Sequence, residues 1–298
     1  MATRKSSKRK SLLPPRASYT QISTFQRCKT RYYWRYLAGL ERVTPALGLY
    51  RGSMLHKAYD AYMFQERASH DIAYGVVERM AQEALNTGDI SADLINQTAD
   101  EALACLRHYL PWADENDDWT LVVPENAVEC EITGEIPVTL HDGTSHLFVF
   151  KLDALVQRGD QLFLLENKFR KNLDASGLEH DMQTLLYQAA WNQLHPEHRI
   201  QGVIYNIVAA QPRKKDGAVG TREFFHRGEA EEAVAMNLLR SVIAEQRMQE
   251  QLGLWPMSPS KDCNWDCDYV GMCLGVRAGA SVDEYIASGE FVQKQRDR

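Results

Sequence analysis

The chain has 298 residues, 44% of them hydrophobic and 25% charged, with a formal net charge of −6 and six cysteines. That length supports one large domain or a core carrying an insertion, and the composition is that of a globular chain rather than a disordered or fibrous one. No apolar run approaches the roughly 20 residues that span a bilayer, and the polar, basic start from Met1 to Arg16 lacks the apolar segment of a secretory signal, so the expected setting is a cytoplasm with no membrane partner.

The net charge is not that of a polycation, and nucleic-acid binding cannot be read from it. The positive charge is uneven. Arg4, Lys5, Lys8, Arg9, Lys10 and Arg16 occur without an acid among them, and Arg27, Lys29, Arg31, Arg35, Arg42 and Arg51 follow. Residues 1–17 are expected to form a disordered basic arm, equally readable as a solubilising tail or as a phosphate-contacting one.

Residues 18–298 are expected to form a single domain. Ser18 and Thr20 are candidate N-caps of a first helix, and the stretch from Ile22 to Leu40 is dense in aromatics: Phe25, Tyr32, Tyr33, Trp34 and Tyr36. Residues 53–115 read as a helical insertion of about three helices, punctuated near Ser69 and at Thr87-Gly88-Asp89. Alternating residues over 119–132 and runs at 135–141, 146–157 and 161–168 predict a four-stranded meander, with turns at His141-Asp142-Gly143 and Arg158-Gly159-Asp160. A helix over 177–194, a strand from Gly202 to Ala210, a basic loop Pro212-Arg213-Lys214-Lys215-Asp216-Gly217 and a strand over 219–226 come next. An amphipathic helix over 229–252 places Val234, Leu238, Val242 and Ile243 on its apolar face. A cysteine-bearing loop over 256–275 and a short helix near 282–290 close the chain. This order predicts an α/β fold with a mixed sheet.

The chemistry concentrates at Leu152-Asp153 and Leu164-Leu165-Glu166-Asn167-Lys168. Residues two apart on a strand share a face, so Glu166 and Lys168 project together, and the hairpin between the two strands brings Asp153 alongside. Two carboxylates and an ammonium suit phosphodiester hydrolysis: hard oxygen ligands hold Mg²⁺ or Mn²⁺, the ion activates a water, and the lysine stabilises the growing charge. The same short pattern taken alone is more often a surface salt bridge. Companions are His56 in Gly52-Ser53-Met54-Leu55-His56, read as the start of a helix after glycine; Gln183 and Tyr187, four apart on one helical face; and Glu129 and Glu131 on one face of a strand, readable as a solvated edge, which is slightly preferred, or as supplying one additional acid near the metal.

Cys263-Asn264-Trp265-Asp266-Cys267 and Cys273 place three thiols within eleven residues. Outside a secretory setting this reads as metal binding before disulfides. A fourth ligand completes either a zinc site or a four-iron cluster, and Cys28 is the candidate. Cys105 and Cys130 read as small buried hydrophobes.

These residues resemble a known family. Ser18-Tyr19-Thr20-Gln21-Ile22-Ser23-Thr24-Phe25-Gln26-Arg27-Cys28, followed by Arg31-Tyr32-Tyr33, is similar to the opening of RecB-like PD-(D/E)XK nucleases, in particular the iron–sulfur branch of CRISPR-associated RecB-type exonucleases, the AddB nuclease and related phage exonucleases. One cysteine near the start and three near the end match Cys28, Cys263, Cys267 and Cys273, which implies a [4Fe–4S] cluster clamping the two ends. His56 matches the family's metal-ligand histidine, Asp153 the first catalytic acid, Glu166 and Lys168 the (D/E)-x-K pair, and Gln183 and Tyr187 the Gln-x-x-x-Tyr motif that arranges DNA. The resemblance spans residues 18 to 273. It departs at Lys151-Leu152 before the first acid, where glycine or proline is often seen, at the polar Asn167, and at the three-residue gap between Cys263 and Cys267, where two is common.

The resemblance implies a restriction-endonuclease-like core, a central mixed β-sheet flanked by helices, with a helical insertion and an Fe–S-stapled C-terminus. It implies a Mg²⁺- or Mn²⁺-dependent DNA exonuclease, with Asp153, Glu166 and Lys168 catalytic and His56, Asp153 and Glu166 holding the ion. Its setting would be DNA recombination, repair or phage DNA processing in a bacterial or phage-infected cytosol. Its partners would be single-stranded DNA or DNA ends, with a recombination or single-strand annealing protein. One alternative is a catalytically weak DNA-end-binding module partnering a recombinase or CRISPR integrase, which would bind without turnover. Another is a zinc-stapled structural protein whose acidic strand is only a salt bridge.

Overall fold

The computed structural model describes residues 13, 16–43, 47–88 and 90–294. Most of the expected basic arm, and Asp89 of the expected helix break, lie outside the described residues. In chain order the elements are β1 (Arg16–Ser18), α1 (Tyr19–Arg27), α2 (Lys29–Tyr32), a π-helical turn (Tyr33–Leu37), β2 (Leu40–Arg42), α3 (Leu47–Phe64), α4 (His70–Thr87), α5 (Ala92–Asn116), β3 (Thr120–Val122), β4 (Ile132–Thr139), β5 (Ser145–Leu152), β6 (Ala154–Arg158), β7 (Gln161–Arg170), a 3-10 turn (Leu178–His180), α6 (Met182–Leu194), β8 (Ile200–Ala209), β9 (Gly220–His226), α7 (Glu229–Leu252), α8 (Cys263–Asp266), α9 (Val270–Arg277), α10 (Val282–Ala287) and β10 (Phe291–Gln293). The chain divides into two compact units, one of residues 1–43, 137–149 and 237–298, the other of residues 44–136 and 150–236. β4, β5 and α7 each carry the chain from one unit into the other.

In the first unit Ser18 opens α1 with a capping box: its hydroxyl accepts from the Gln21 N–H while the Gln21 side chain accepts from the Ser18 N–H at 2.9 Å, satisfying two donors that a helix start leaves orphaned. Arg16 and Ala17, expected in the arm, are strand residues instead, parallel to Leu147 and Phe148 of β5; strand pairing gives their backbone groups partners that a free arm would leave to water. An early and a late segment of the chain meet where β2 pairs antiparallel with β10, Leu40 opposite Gln293. Trp34, Leu40, Tyr269, Met272 and Phe291 form a core there. Tyr269 stacks on Phe291 at 5.4 Å and its hydroxyl donates to the Leu40 carbonyl at 2.6 Å.

In the second unit the helical stretch is α3, α4 and α5, with Ser69 capping α4 and Gly88 ending it at φ +72°, a left-handed position that glycine takes without strain. α3 starts at Leu47, so His56 lies in mid-helix and not at a helix start. The sheet runs β3-β6-β7-β8-β9, with β7 and β8 parallel and the other neighbours antiparallel. It is the central mixed sheet, flanked by α3, α5 and α6. β7 is buried from Phe163 to Asn167, as a central strand covered on both faces should be.

Three expected elements differ. The alternating stretch 119–132 yields Thr120–Val122 as strand and, at its last residue, the start of β4, and Glu129, Cys130 and Glu131 lie in the loop between, where the Cys130 N–H is taken by Asp60 Oδ1 at 2.8 Å rather than by a ladder. The run 146–157 is two strands broken at Asp153 and belonging to different sheets. On α7, Val234 is 65% exposed while Ala235 and Leu239 are buried, which rotates the apolar face by about one residue.

Candidate active site

Asp153 sits in the bend between β5 and β6, and the β6–β7 hairpin sets Ala154 opposite Leu165. The Asn167 N–H donates to Asp153 Oδ2 at 2.9 Å, which fixes the carboxylate beside Glu166. Glu166 is 5% exposed. One of its oxygens accepts from Lys168 Nζ at 2.7 Å, and the other, Oε2, is buried with no hydrogen-bond partner. His56 reaches the same place from α3, with Nδ1 3.4 Å from Asp153 Oδ2 and its ring edge-on to Phe169 at 5.1 Å. The structure therefore brings together Asp153, Glu166, Lys168 and His56.

Burial pushes the Asp153 carboxyl up to about 6 against the opposing hydrogen bond from Asn167. Burial and then the Asp153 charge push Glu166 up to about 7, outweighing the neighbouring ammonium. Burial alone would lower Lys168, but the Glu166 and Asp181 carboxylates raise it above the ordinary lysine value. Burial lowers His56, favouring the neutral imidazole that a metal needs. Both carboxyls are thus held above their ordinary values, chiefly by burial, and Glu166 also by the Asp153 charge. Glu131 adds negative charge to Asp153 and His56 from the loop before β4 and is paired with Lys151, which favours the reading of it as an acid near the site over the solvated edge.

Among the described residues, no three His, Cys, Asp or Glu side chains close into a coordination shell. The donor set still fits a hard divalent cation. Mg²⁺ keeps several waters and takes only one or two carboxylates from a protein, phosphate oxygens supplying the rest, and an unpartnered buried carboxylate oxygen beside a second raised carboxyl is what such an ion would satisfy.

Gln183 and Tyr187 lie on α6, whose start is fastened to the site by a residue that sequence reasoning missed. Asp181 is the N-cap of α6: Oδ1 accepts from the Gln183 N–H at 2.9 Å, while Oδ2 stands 3.5 Å from Lys168 Nζ. The signal available was an aspartate just ahead of an apolar helix, but the expected start near 177 placed it inside the helix. Tyr187 is buried against Phe150, their rings 6.4 Å apart. Asn167 points to the opposite face of β7. Asn206 Nδ2 donates to Asn167 Oδ1 at 2.7 Å and to the Tyr109 hydroxyl at 2.6 Å, and Arg222 donates to Asn206 Oδ1 at 2.5 Å. The departure at Asn167 is thus absorbed by a buried polar network reaching α5.

The other constellation lies in the first unit. Cys28, Cys263, Cys267 and Cys273 line one cavity of about 380 Å³. The Arg31 N–H points to Cys28 Sγ at 3.5 Å and the Ser260 N–H to Cys263 Sγ at 3.4 Å. Burial first, and then the neighbouring thiols, push Cys273 up; burial chiefly raises Cys267. Cys105 and Cys130 are buried elsewhere, bonded to the carbonyls of Ala209 and Asp60, which agrees with their reading as packing thiols.

Two carboxyls and an ammonium thus converge beside β7 of the central mixed sheet. The chain belongs to the PD-(D/E)XK nuclease superfamily, whose sequence model matches residues 16–274. No curated protein sequence matches it. Among solved structures it is similar to SSO0001, 14% identical, with 69% of this chain and 82% of that one covered and a TM-score of 0.35. It is also similar to a Eubacterium rectale protein described as a candidate exonuclease, 11% identical, with 89% of this chain and 88% of that one covered and a TM-score of 0.48. The family assignment rests on the sequence match. No helix among the described residues is long and apolar enough to cross a membrane.

Proposed function

We propose that the protein is a metal-dependent deoxyribonuclease that hydrolyses DNA as an exonuclease, with Asp153, Glu166 and Lys168 as its catalytic residues. The observation that carries this reading is Glu166 Oε2, a buried carboxylate oxygen without a partner, set beside a second raised carboxyl and an ammonium in a chain of a nuclease superfamily. Asp153 and Glu166 would hold Mg²⁺ or Mn²⁺, with neutral His56 as a further ligand. The bound ion supplies a polarised phosphate and a water of lowered pKa. Lys168 stabilises negative charge on the phosphate, and Gln183 and Tyr187 would arrange DNA, the buried Tyr187 acting through the placement of α6 rather than by contact. Lys214 and Lys215 are candidate phosphate contacts; Arg213 of the same loop is held by Asp216 at 2.8 Å.

The four cavity-lining thiols form the proposed seat of a [4Fe–4S] cluster, in keeping with the soft donors such clusters take and with the N–H groups aimed at two of the sulfurs. Cys28 at the start of α2 and Cys263, Cys267 and Cys273 around α8 and α9 would hold such a cluster and be tied together by it. The substrate is single-stranded DNA or a DNA end, in recombination, repair or phage DNA processing, with a recombination or annealing protein as partner.

The experiment is degradation of end-labelled DNA with Mn²⁺ by the wild type and by Asp153→Ala. The reading predicts loss of about 10²-fold or more in the variant, the scale of removing a group that stabilises transition-state charge. Equal degradation by both would sink it. DNA binding without cutting by the wild type would move the protein to the end-binding reading.

A further inference from the structure

We propose that Asp181 is a positioning residue for Lys168: its carboxylate is the second anchor that keeps the ammonium in the site when a divalent cation takes Glu166. This rests on the proposed metal-dependent site.

Lys168 Nζ lies 2.7 Å from Glu166 Oε1 and 3.5 Å from Asp181 Oδ2. Glu166 has one oxygen engaged by this lysine and one buried without a partner. A cation arriving at that carboxylate brings a second positive charge against the ammonium, and like charges in a buried setting repel strongly. Lysine is a point charge on a flexible four-carbon stem. Anchored to Glu166 alone, it would either hold the cation off or leave.

Asp181 offers another seat, and a fixed one. Its Oδ1 is committed to capping α6 through the Gln183 N–H, and its backbone carbonyl accepts from Thr184 Oγ1 at 3.2 Å. The Lys168 and Asp181 side chains are only 19% and 16% exposed, so the contact is not a solvent-screened surface pair. One carboxylate thereby ties the start of the Gln183–Tyr187 helix to the lysine of the strand.

The two duties of Asp181 are separable, because asparagine caps helices as well as aspartate does but carries no charge. The test is Mn²⁺ affinity by calorimetry for the wild type, Asp181→Asn, Lys168→Met and the double variant, a cycle that isolates the pairwise coupling. Asp181→Asn is expected to keep the thermal midpoint of the wild type and to weaken Mn²⁺ binding about tenfold, since the lysine then stays on Glu166; a 1.4 kcal/mol change is that factor. With Lys168→Met in the background the same substitution should have an effect of about twofold or less. In DNA cleavage Asp181→Asn should lower kcat with KM unchanged. Should Asp181→Asn not fold, Asp181→Ser serves in its place. Equal weakening with and without Lys168 would show that Asp181 acts only as a distant charge, and no weakening would show that it does nothing; either overturns the proposal. A wild type that binds no Mn²⁺ overturns the metal-dependent reading itself, and this inference with it.

Discussion

At the residue scale the account depends on Glu166 and its surroundings. Its neighbour Asp153 was legible in the sequence because it closes an apolar strand just ahead of a hairpin, and Glu166 with Lys168 because strand residues two apart share a face. Asp181 was not legible, since its second oxygen meets Lys168 only once α6 is set against β7. Predictions follow from the charge balance. Protons compete with metal for a carboxylate, and Asp153 and Glu166 hold protons up to about 6 and about 7. Both carboxyls are raised, so acid favours their neutral forms. Mn²⁺ affinity measured by calorimetry should therefore be full above that range and weaken steadily as pH falls through it. An affinity independent of pH across the range would place the ion elsewhere.

At the scale of elements, β7 has two faces with two jobs. Glu166 and Lys168 look toward α6, while Asn167 joins Asn206, Tyr109 and Arg222 toward α5. The network ends at Asp117, which is fully buried and paired with Arg222 at 2.5 Å and Arg67 at 2.8 Å. Removing one partner of a buried pair leaves charge uncompensated, at a cost of about 3–5 kcal/mol. Arg222→Ala should lower unfolding stability toward that figure in urea titrations, with Arg67 relieving part of it; a loss below about 1 kcal/mol would mean the pair is not held as described. The helices and the hairpin were legible from periodicity, Ser69 and Gly88. The change of sheet at Asp153 was not, because the residues on both sides of it are apolar and read as neighbouring strands of one meander. Val234 misled because four apolar residues fit a helical stripe as well as three do.

At the scale of the molecule, early and late segments of the chain meet within one unit through β2 and β10 and through the cavity that Cys28 shares with Cys263, Cys267 and Cys273. The spacing of the thiols was visible in the sequence, and the four do share a cavity. Their metal was not, since zinc and iron–sulfur sites draw on the same donors. The cluster reading predicts that anaerobically purified protein is brown, with a band near ~400 nm from thiolate-bound iron. Cys28→Ala should lose iron and fold poorly, because metal binding is coupled to folding. A colourless protein carrying zinc would replace the cluster while leaving the nuclease site untouched.

The most direct measurement is hydrolysis of end-labelled single- and double-stranded DNA by the wild type and by Glu166→Gln, each with Mn²⁺ and with a chelator. The account predicts degradation from a labelled end by the wild type only when metal is present, and a loss of about 10²-fold or more in Glu166→Gln. Cutting that survives the chelator, or an equally active Glu166→Gln, would contradict it.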